Sequence, residues 1–157
     1  SYYPVFGNSC HVAVVKVDPE TGKVRILRYV MVSDAGRILN EKIVEGQSLG
    51  GIVAGIGGAL MEELVYDSSG QLESGTFMDY LIPNAVEIPR EIEIYHLESP
   101  SPMTPVGAKG AGEAGANGSY AALANAVEDA LAPFDVTVRE LPLKPEYLWR
   151  AIKEQIA

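Results

Sequence analysis

The sequence predicts an α+β (mixed α/β) domain, in which a β-hairpin and further short strands pack with a glycine-rich helix and two C-terminal helices. Three observations support this prediction. Two β-branched runs near the start are separated by a turn, a long apolar stretch has helical spacing, and two more helical patterns close the chain. A length of 157 residues fits one domain, so residues 1–157 are predicted to form a single unit.

The predicted hairpin joins His11 to Val17, HVAVVKV, with Val24 to Val32, VRILRYVMV. Both runs are rich in β-branched residues, which favour strands. Between them, Asp18-Pro19 is typical of a turn start, and Gly22 can adopt the positive φ that such a turn requires.

The glycine-rich helix is predicted over Gly46 to Tyr66. Its apolar residues recur at three- and four-residue spacing: Val53, Ile56, Leu60 and Leu64. Small residues also recur at four-residue spacing, in the rows Gly50, Ala54, Gly58 and Gly51, Gly55, Ala59. Such a smooth stripe suits close packing against a sheet, the favoured interpretation, or against a flat ligand.

The remaining elements are predicted from shorter patterns. Strands are predicted within Gly75 to Ile82, Glu91 to Glu98 and Asp135 to Glu140, and the proline-rich segment 99–105 is predicted to be an extended connector. Helices are predicted over Ser119 to Ala132, capped by Asn117 or Ser119, and over Pro145 to Ile156.

Composition and charge exclude several classes of function. The net charge of −9 argues against nucleic acid or an anionic membrane as a partner, because both require a basic surface. The apolar run Leu49 to Met61 is shorter than the roughly 20 residues that span a membrane. The single cysteine, Cys10, excludes an internal disulfide, and no secretory leader pattern is seen, so a cytoplasmic location is expected.

The strongest candidate for chemistry is Glu113, in the segment GAKGAGEAGANGS from Gly107 to Ser119. A carboxylate among small residues at a helix entry has two possible roles. It can cap the helix by accepting backbone N–H groups, or it can face a cavity as a general base. The pattern alone leaves both roles open.

Other candidates have weaker patterns. The motif GAGEAG, Gly110 to Gly115, matches G-x-G-x-x-G, but prolines rather than a strand precede it, which leaves a nucleotide-binding module as a minor alternative.

His11 and His96 lie in separate predicted strands without metal-type spacing, so both are interpreted as partly buried strand residues. Cys10 is expected to be buried and inert. No metal-ligating protein residue is predicted. Glu62, Glu63 and Asp67 are expected at a solvated helix end.

Five stretches of the sequence are distinctive when taken together: the glycine segment with the helix after it, the hairpin, EGQSLGGIVAGIGGALMEELVYD, GTFMDYLIP and LWRAI. They resemble the molybdenum-binding subunit of the xanthine dehydrogenase, aldehyde oxidase and carbon monoxide dehydrogenase family. The resemblance covers nearly the whole chain in order, and it implies the C-terminal domain of a larger molybdopterin-binding subunit.

The resemblance also implies site residues. In the family, the glutamate of the K-G-x-G-E segment is the base that deprotonates a metal-bound hydroxyl, and by motif this residue is Glu113. Cofactor-binding residues implied by position are Lys109, Gly110, Ala111, Gly112, Gln47 and Gly50. The glycines would allow close approach of the cofactor. Ala54 departs from the family, since some members carry a cofactor-contacting glutamine there.

The resemblance implies molybdopterin with molybdenum as the cofactor, either as the simple pterin or in a dinucleotide form. It also implies iron–sulfur clusters and FAD on other domains or subunits. Implied partners are therefore the rest of the molybdenum subunit, iron–sulfur and flavin subunits, and a small-molecule substrate: an aldehyde, a purine, carbon monoxide or an N-heterocycle. Alone, the chain is expected to be inactive. The alternative function is a non-catalytic domain for subunit assembly.

Overall fold

The computed structural model describes residues 5–156 and confirms the mixed α+β class. The elements are β1 (Asn8–Val17), β2 (Val24–Asp34), α1 (Glu41–Leu60), β3 (Ile92–Leu97), α2 (Ala114–Asn117), α3 (Ser119–Leu131) and α4 (Pro145–Ile156), with a 3-10 turn at Ala132–Phe134. The strands form one sheet in the order β1-β2-β3. Strand β2 is antiparallel to β1 and parallel to β3.

The predicted hairpin is confirmed, with pairing that runs from Asn8 opposite Asp34 to Val17 opposite Val24. One irregularity interrupts it: Val14 pairs with Arg28 and Val15 with Ile26. Leu27 is therefore an extra residue in β2, which is the signature of a β-bulge. The bulge resets the alternation of the strand. As a result, Ile26 on one side of it and Tyr29, Met31 and Ser33 on the other are all buried.

Helix α1 begins five residues before its predicted start and ends six residues before its predicted end. The start is fixed by Asn40, whose side-chain oxygen accepts the N–H of Ile43 at 3.1 Å.

Beyond the helix end, Glu62 and Glu63 are half-buried. Glu62 accepts a hydrogen bond from the Tyr80 hydroxyl at 2.6 Å, and Glu63 pairs with Lys144. The prediction of a fully solvated end is therefore wrong for these two glutamates.

The buried apolar side chains of α1 are Ile52, Ile56 and Ala59. Leu64 lies outside the helix and is exposed. By length and apolarity alone, with a mean hydropathy of 1.3, α1 could cross a membrane, which the short run Leu49 to Met61 does not predict. One such helix is weak evidence for a membrane, because the core helix of a folded domain satisfies the same criteria.

Two of the predicted short strands are absent, whereas Glu91 to Glu98 is confirmed as β3. Within Gly75 to Ile82 the chain turns instead, because the Thr76 carbonyl accepts the N–H groups of Asp79 and Tyr80. Within Asp135 to Glu140, Asp135 has a φ of 56° and the Val138 N–H donates to Glu128, so no ladder forms.

The proline-rich segment 99–105 is folded into turns and is not an extended connector. Its Ser101 N–H donates to the Gly107 carbonyl at 2.9 Å, and the Gly107 N–H donates to Thr104 at 3.1 Å. Gly107 has a φ of 76°, a conformation that favours glycine. These turns therefore return the chain to the end of β2, where the glycine segment begins.

Two apolar clusters hold the elements together. The first joins the hairpin to α1 and α3, and consists of Ile26, Tyr29, Met31, Ile52, Ile56, Ala59 and Leu123. The second joins the end of α3 to α4, and consists of Val127, Leu131, Val136, Leu143, Leu148 and Ile152. Ala114 of the glycine segment packs against the first cluster.

Candidate functional site

An ion pair anchors the glycine segment to the end of β2. The Lys109 ammonium donates to Asp34 Oδ2 at 3.0 Å, and both side chains are largely buried. The Lys109 N–H also donates to the Ala35 carbonyl at 2.8 Å. The backbone N–H of Gly36, the Lys109 ammonium and the N–H of Ser99 together hold the pKa of Asp34 well below its usual range. The Lys109 side chain thus orients the segment.

Glu113 lies immediately before α2 and is exposed. Its backbone occupies the N-cap position, and its carbonyl accepts the N–H groups of Ala116 and Asn117, both at 3.1 Å. Its carboxylate makes no cap hydrogen bond. Of the two roles left open by the sequence, the structure therefore disfavours capping and leaves the carboxylate available at the surface.

Two glycines allow α1 to approach the turn that carries Glu113. A Cβ at Gly51 would lie 2.7 Å from Ala116 N and 2.9 Å from Gly115 Cα. A Cβ at Gly115 would overlap the Ser48 carbonyl and lie 2.9 Å from Ile52 N. Real Cβ atoms do not make such close contacts with backbone, so only glycine fits at both positions. The backbones of α1 and α2 are thereby held in direct contact.

This contact brings Gln47 beside the glycine segment. A Cβ at Gly112 would lie 3.7 Å from Gln47 Nε2, so the two predicted cofactor-binding positions are neighbours in space although they are far apart in sequence. Gly50 lies on the exposed side of α1, and a Cβ there would meet nothing within 4 Å; the same is true of Gly46. Gly110 and Gly112 are exposed, and Ala111 is half-buried.

The two rows of small residues on α1 have different environments. Gly55 and Gly58 pack against α3, where a Cβ would overlap Ser119 and the Tyr120 ring respectively. Gly50 and Ala54 are exposed. The predicted close packing is therefore correct in kind, but the partner is a pair of helices and not a sheet. Gly50 and Ala54, the first two residues of the row that ends at Gly58, leave a smooth exposed surface beside Gln47.

A polar network lies behind the Glu113 turn and was not recognised from the sequence. His11 Nε2 lies 3.0 Å from the Ala114 carbonyl, and His11 Nδ1 lies 2.8 Å from the Tyr29 hydroxyl. The Tyr29 hydroxyl is 2.9 Å from Ser119 Oγ, which donates to the Gly115 carbonyl at 2.5 Å. Burial lowers the pKa of His11, while the bond to the Ala114 carbonyl opposes this shift. The inward alternation of His11 in β1 was the available signal.

Ser119 therefore does not cap α3, and neither does Asn117. The N-cap residue of α3 is Gly118, and no side chain makes a cap hydrogen bond there. His96 is a half-buried strand residue, as predicted, with Nδ1 at 3.0 Å from Ser33 Oγ. Cys10 is exposed and not buried, because it lies on the outward side of the edge strand β1.

Within residues 5–156, no group of three or more histidine, cysteine, aspartate or glutamate side chains is arranged to hold a metal ion. Two shallow surface grooves of about 450 and 610 Å³ lie along α1 and β3, and neither is lined by Glu113. The candidate site is thus an open surface with one carboxylate, one side-chain amide and exposed glycine backbone.

The surroundings of Gly110 to Gly115 do not match a dinucleotide-binding fold. That fold requires a strand that runs directly into the first glycine. Here β3 ends at Leu97 and the turns of the proline-rich segment intervene, while the helix that follows directly, α2, has only four residues. The motif therefore lacks the strand–turn–helix geometry that would hold a pyrophosphate.

Comparison with known proteins identifies the family. Residues 1–89 match the molybdopterin cofactor-binding domain model. The nicotine 6-hydroxylase large subunit of Paenarthrobacter nicotinovorans is 46% identical over 96% of this chain and 18% of its own length. The carbon monoxide dehydrogenase large chain of Hydrogenophaga pseudoflava is 37% identical over 92% of this chain and 18% of its own length.

Solved structures agree with these matches. Quinoline 2-oxidoreductase from Pseudomonas putida 86 superposes with a TM-score of 0.91 at 44% identity, over 94% of this chain and 19% of that one. The present chain thus spans less than a fifth of the proteins that it resembles. It belongs to the molybdopterin cofactor-binding domain family and matches a segment of the large subunits of molybdenum hydroxylases.

Proposed function

We propose that the chain supplies the catalytic-base surface of a molybdenum hydroxylase, with Glu113 as the base. The observation that carries this proposal is the Glu113 turn itself. Its carboxylate is exposed and does not cap a helix, while its backbone is fixed by close contact between α2 and α1. A base must be positioned and accessible at the same time, and this arrangement provides both conditions.

The residues around Glu113 fit a flat, polar cofactor such as molybdopterin. Gly46 and Gly50 leave open space along α1, and the Gln47 amide can donate and accept hydrogen bonds beside Gly112. Gln47, Gly50 and the backbone of 110–112 are the residues proposed to hold it, with Lys109 acting through its ion pair with Asp34.

When bound, the molybdenum cofactor supplies the two-electron oxidation of the substrate, with water as the oxygen source. The part proposed for Glu113 is to remove a proton from that oxygen source. General-base catalysis of this kind contributes about 10²- to 10⁴-fold to a rate. The small neighbours of Glu113, Gly112 and Ala114, leave room for the reacting groups beside the carboxylate.

Among the substrate classes of the family, we favour an N-heteroaromatic compound. Two of the most similar relatives are named for nicotine and quinoline, at 46% and 44% identity, whereas the carbon monoxide and aldehyde enzymes range from 30% to 39%. The rest of the subunit and separate iron–sulfur and flavin modules complete the proposed cytoplasmic enzyme, and some relatives are themselves named as subunits of complexes.

The test is Glu113→Gln in the complete enzyme that contains this chain. The amide has nearly the same shape but cannot take the proton, so we expect kcat to fall by about 10²- to 10⁴-fold. Molybdenum content, measured by mass spectrometry, should be unchanged. Glu45→Gln, an exposed carboxylate on α1, serves as the matched control. Turnover that survives Glu113→Gln would refute the assignment, and the assembly-domain alternative would then be preferred.

A further inference from the structure

The polar network behind the Glu113 turn has fewer protons to donate than atoms that can accept them. This shortage restricts which atom donates in each hydrogen bond. The Ala114 and Gly115 carbonyls can only accept, so His11 Nε2 and Ser119 Oγ must donate to them. The protons on these two atoms are therefore committed. The Tyr29 hydroxyl, with one proton, lies within hydrogen-bond distance of both His11 Nδ1 and Ser119 Oγ.

The Tyr29 proton has two possible acceptors, and the charge of His11 selects between them. When the imidazole is neutral and carries its proton on Nε2, Nδ1 is an acceptor and receives the Tyr29 hydroxyl. When the imidazole is protonated on both nitrogens, Nδ1 donates to Tyr29 and the tyrosine proton turns to Ser119. In both states the bond from Nε2 to the Ala114 carbonyl is kept.

We propose, on the basis of the proposed role of Glu113, that His11 is a positioning residue for this base. Its Nε2–H holds the carbonyl of Ala114, the residue directly after Glu113. Because this carbonyl can only accept, it selects the Nε2–H tautomer of the neutral imidazole, and Tyr29 is then the partner of Nδ1. The arrangement resembles the way in which a buried acceptor orients a catalytic imidazole, except that the oriented group here is a backbone turn.

Packing supports this role independently of the hydrogen bonds. A Cβ at Gly118 would overlap the His11 ring, so the ring fills the space at the junction of α2 and α3. The ring also meets Tyr29 edge to face, with centroids 5.9 Å apart and planes at 78°. Its hydrogen-bonding partners are Tyr29 from β2, Ser9 from its own strand and the Ala114 carbonyl from α2, all uncharged at neutral pH. The imidazole is thus held at a fixed position by contacts on several sides.

Two substitutions of His11 distinguish the contribution of its Nε2–H donor from the contribution of ring packing. In His11→Gln, the side-chain amide reaches the position of Nε2 and can still donate to Ala114. In His11→Asn, the amide reaches only the position of Nδ1, so the bond from residue 11 to Ala114 is lost. The Ser9 hydroxyl, at 3.2 Å, is then the remaining side-chain donor to this carbonyl among the described residues. In the complete enzyme, we expect His11→Gln to stay within about threefold of the wild-type kcat. His11→Asn should lower kcat by about 10- to 100-fold with little change in KM, since small misplacement of a reacting group is costly.

A second readout does not depend on turnover. The N–H groups of Ala116 and Asn117 donate to the Glu113 carbonyl, so their hydrogen exchange reports on the turn. By mass spectrometry of the complete enzyme, a peptide covering 113–119 should exchange faster in His11→Asn and at the wild-type rate in His11→Gln. His96→Asn, at the other histidine, is the matched control and should leave this peptide unchanged.

The outcomes separate this inference from the function on which it rests. If Glu113→Gln abolishes turnover while His11→Asn keeps full kcat and protection, Glu113 is the base and the positioning role is refuted. Equal losses in His11→Gln and His11→Asn would also refute it, because ring packing would then matter more than the Nε2 donor. If His11→Asn is isolated without molybdenum, the exchange rates of the two variants decide the question.

Discussion

At the scale of single residues, Asp34 links the sheet to the site. It accepts the Gly36 N–H at 2.8 Å, the Lys109 ammonium at 3.0 Å and the Ser99 N–H at 3.1 Å. All three favour the ionised carboxylate, which is why its pKa is lowered. One side chain thus joins the end of β2, the loop after β3 and the glycine segment that leads to Glu113.

The lowered pKa predicts a pH dependence of stability. A carboxylate whose folded-state pKa lies below its unfolded value of about 3.9 stabilises the fold above that value. This contribution is lost as the pH falls from about 4 towards the folded-state pKa. Asp34→Asn should therefore lower the melting temperature of the chain at pH 7, and the difference from wild type should shrink at pH 3. Circular dichroism measures both.

Asp129→Asn, an exposed aspartate on α3, is the matched control for loss of one charge and should change little at either pH. A melting-temperature difference for Asp34→Asn that is equal at pH 7 and pH 3 would show that the charge of Asp34 is not what stabilises the fold.

At the scale of elements, the glycines of α1 differ by what surrounds them. Gly51 and Gly55 face α2 and α3, where a methyl group would collide with backbone or with Ser119. Gly46 and Gly50 face open space. Glycine in a helix interior costs about 0.5–1 kcal/mol relative to alanine, so the first pair is explained by packing. The second pair has no packing reason, which supports the proposed use of that surface for a ligand.

This difference predicts opposite effects of one substitution at two positions. Gly55→Ala should destabilise the chain by about 1–3 kcal/mol, because overpacking forces the helices apart. Gly46→Ala should stabilise it by about 0.5–1 kcal/mol, because the helix gains propensity without a clash. Urea unfolding of each variant gives both values. A stable Gly55→Ala variant would show that α1 and α3 are not in close contact.

At the scale of the whole molecule, much apolar surface is exposed. Phe77, Met78 and Val86 have 83%, 88% and 88% of their surface accessible, and all lie in the segment between α1 and β3. Large apolar side chains that are exposed to this degree are typical of interaction surfaces. Since the chain spans less than a fifth of its relatives, the rest of the subunit is the partner that we propose for this surface.

The open site predicts that the chain alone holds its cofactor poorly. Small-molecule sites usually bury most of the ligand surface, whereas Glu113, Gln47 and Gly50 are all exposed here. We expect the purified 157-residue chain to contain far less than one molybdenum per chain by mass spectrometry. The complete enzyme, purified in the same way, should contain about one and serves as the control. Stoichiometric molybdenum in the isolated chain would contradict this prediction.

Elements with strong local patterns could be predicted from the sequence alone. The hairpin follows from two β-branched runs and a turn, and α4 follows from Pro145 and its apolar spacing, with the predicted bounds. Segments such as KGAGEAG indicate the family. The comparisons with known proteins confirm that family. These features depend on residues that are close in the chain, so the order of residue types is enough to reveal them.

Features that depend on contacts between distant segments could be seen only in the folded structure. The bulge at Leu27 and the partners of Gly51 and Gly115 come from strand pairing and helix packing. The same holds for the strands wrongly predicted at 75–82 and 135–140, where side-chain and turn hydrogen bonds replaced a ladder. The bond from His11 to Ala114 spans 103 residues. Its energy depends on a distance in space, which no local pattern encodes.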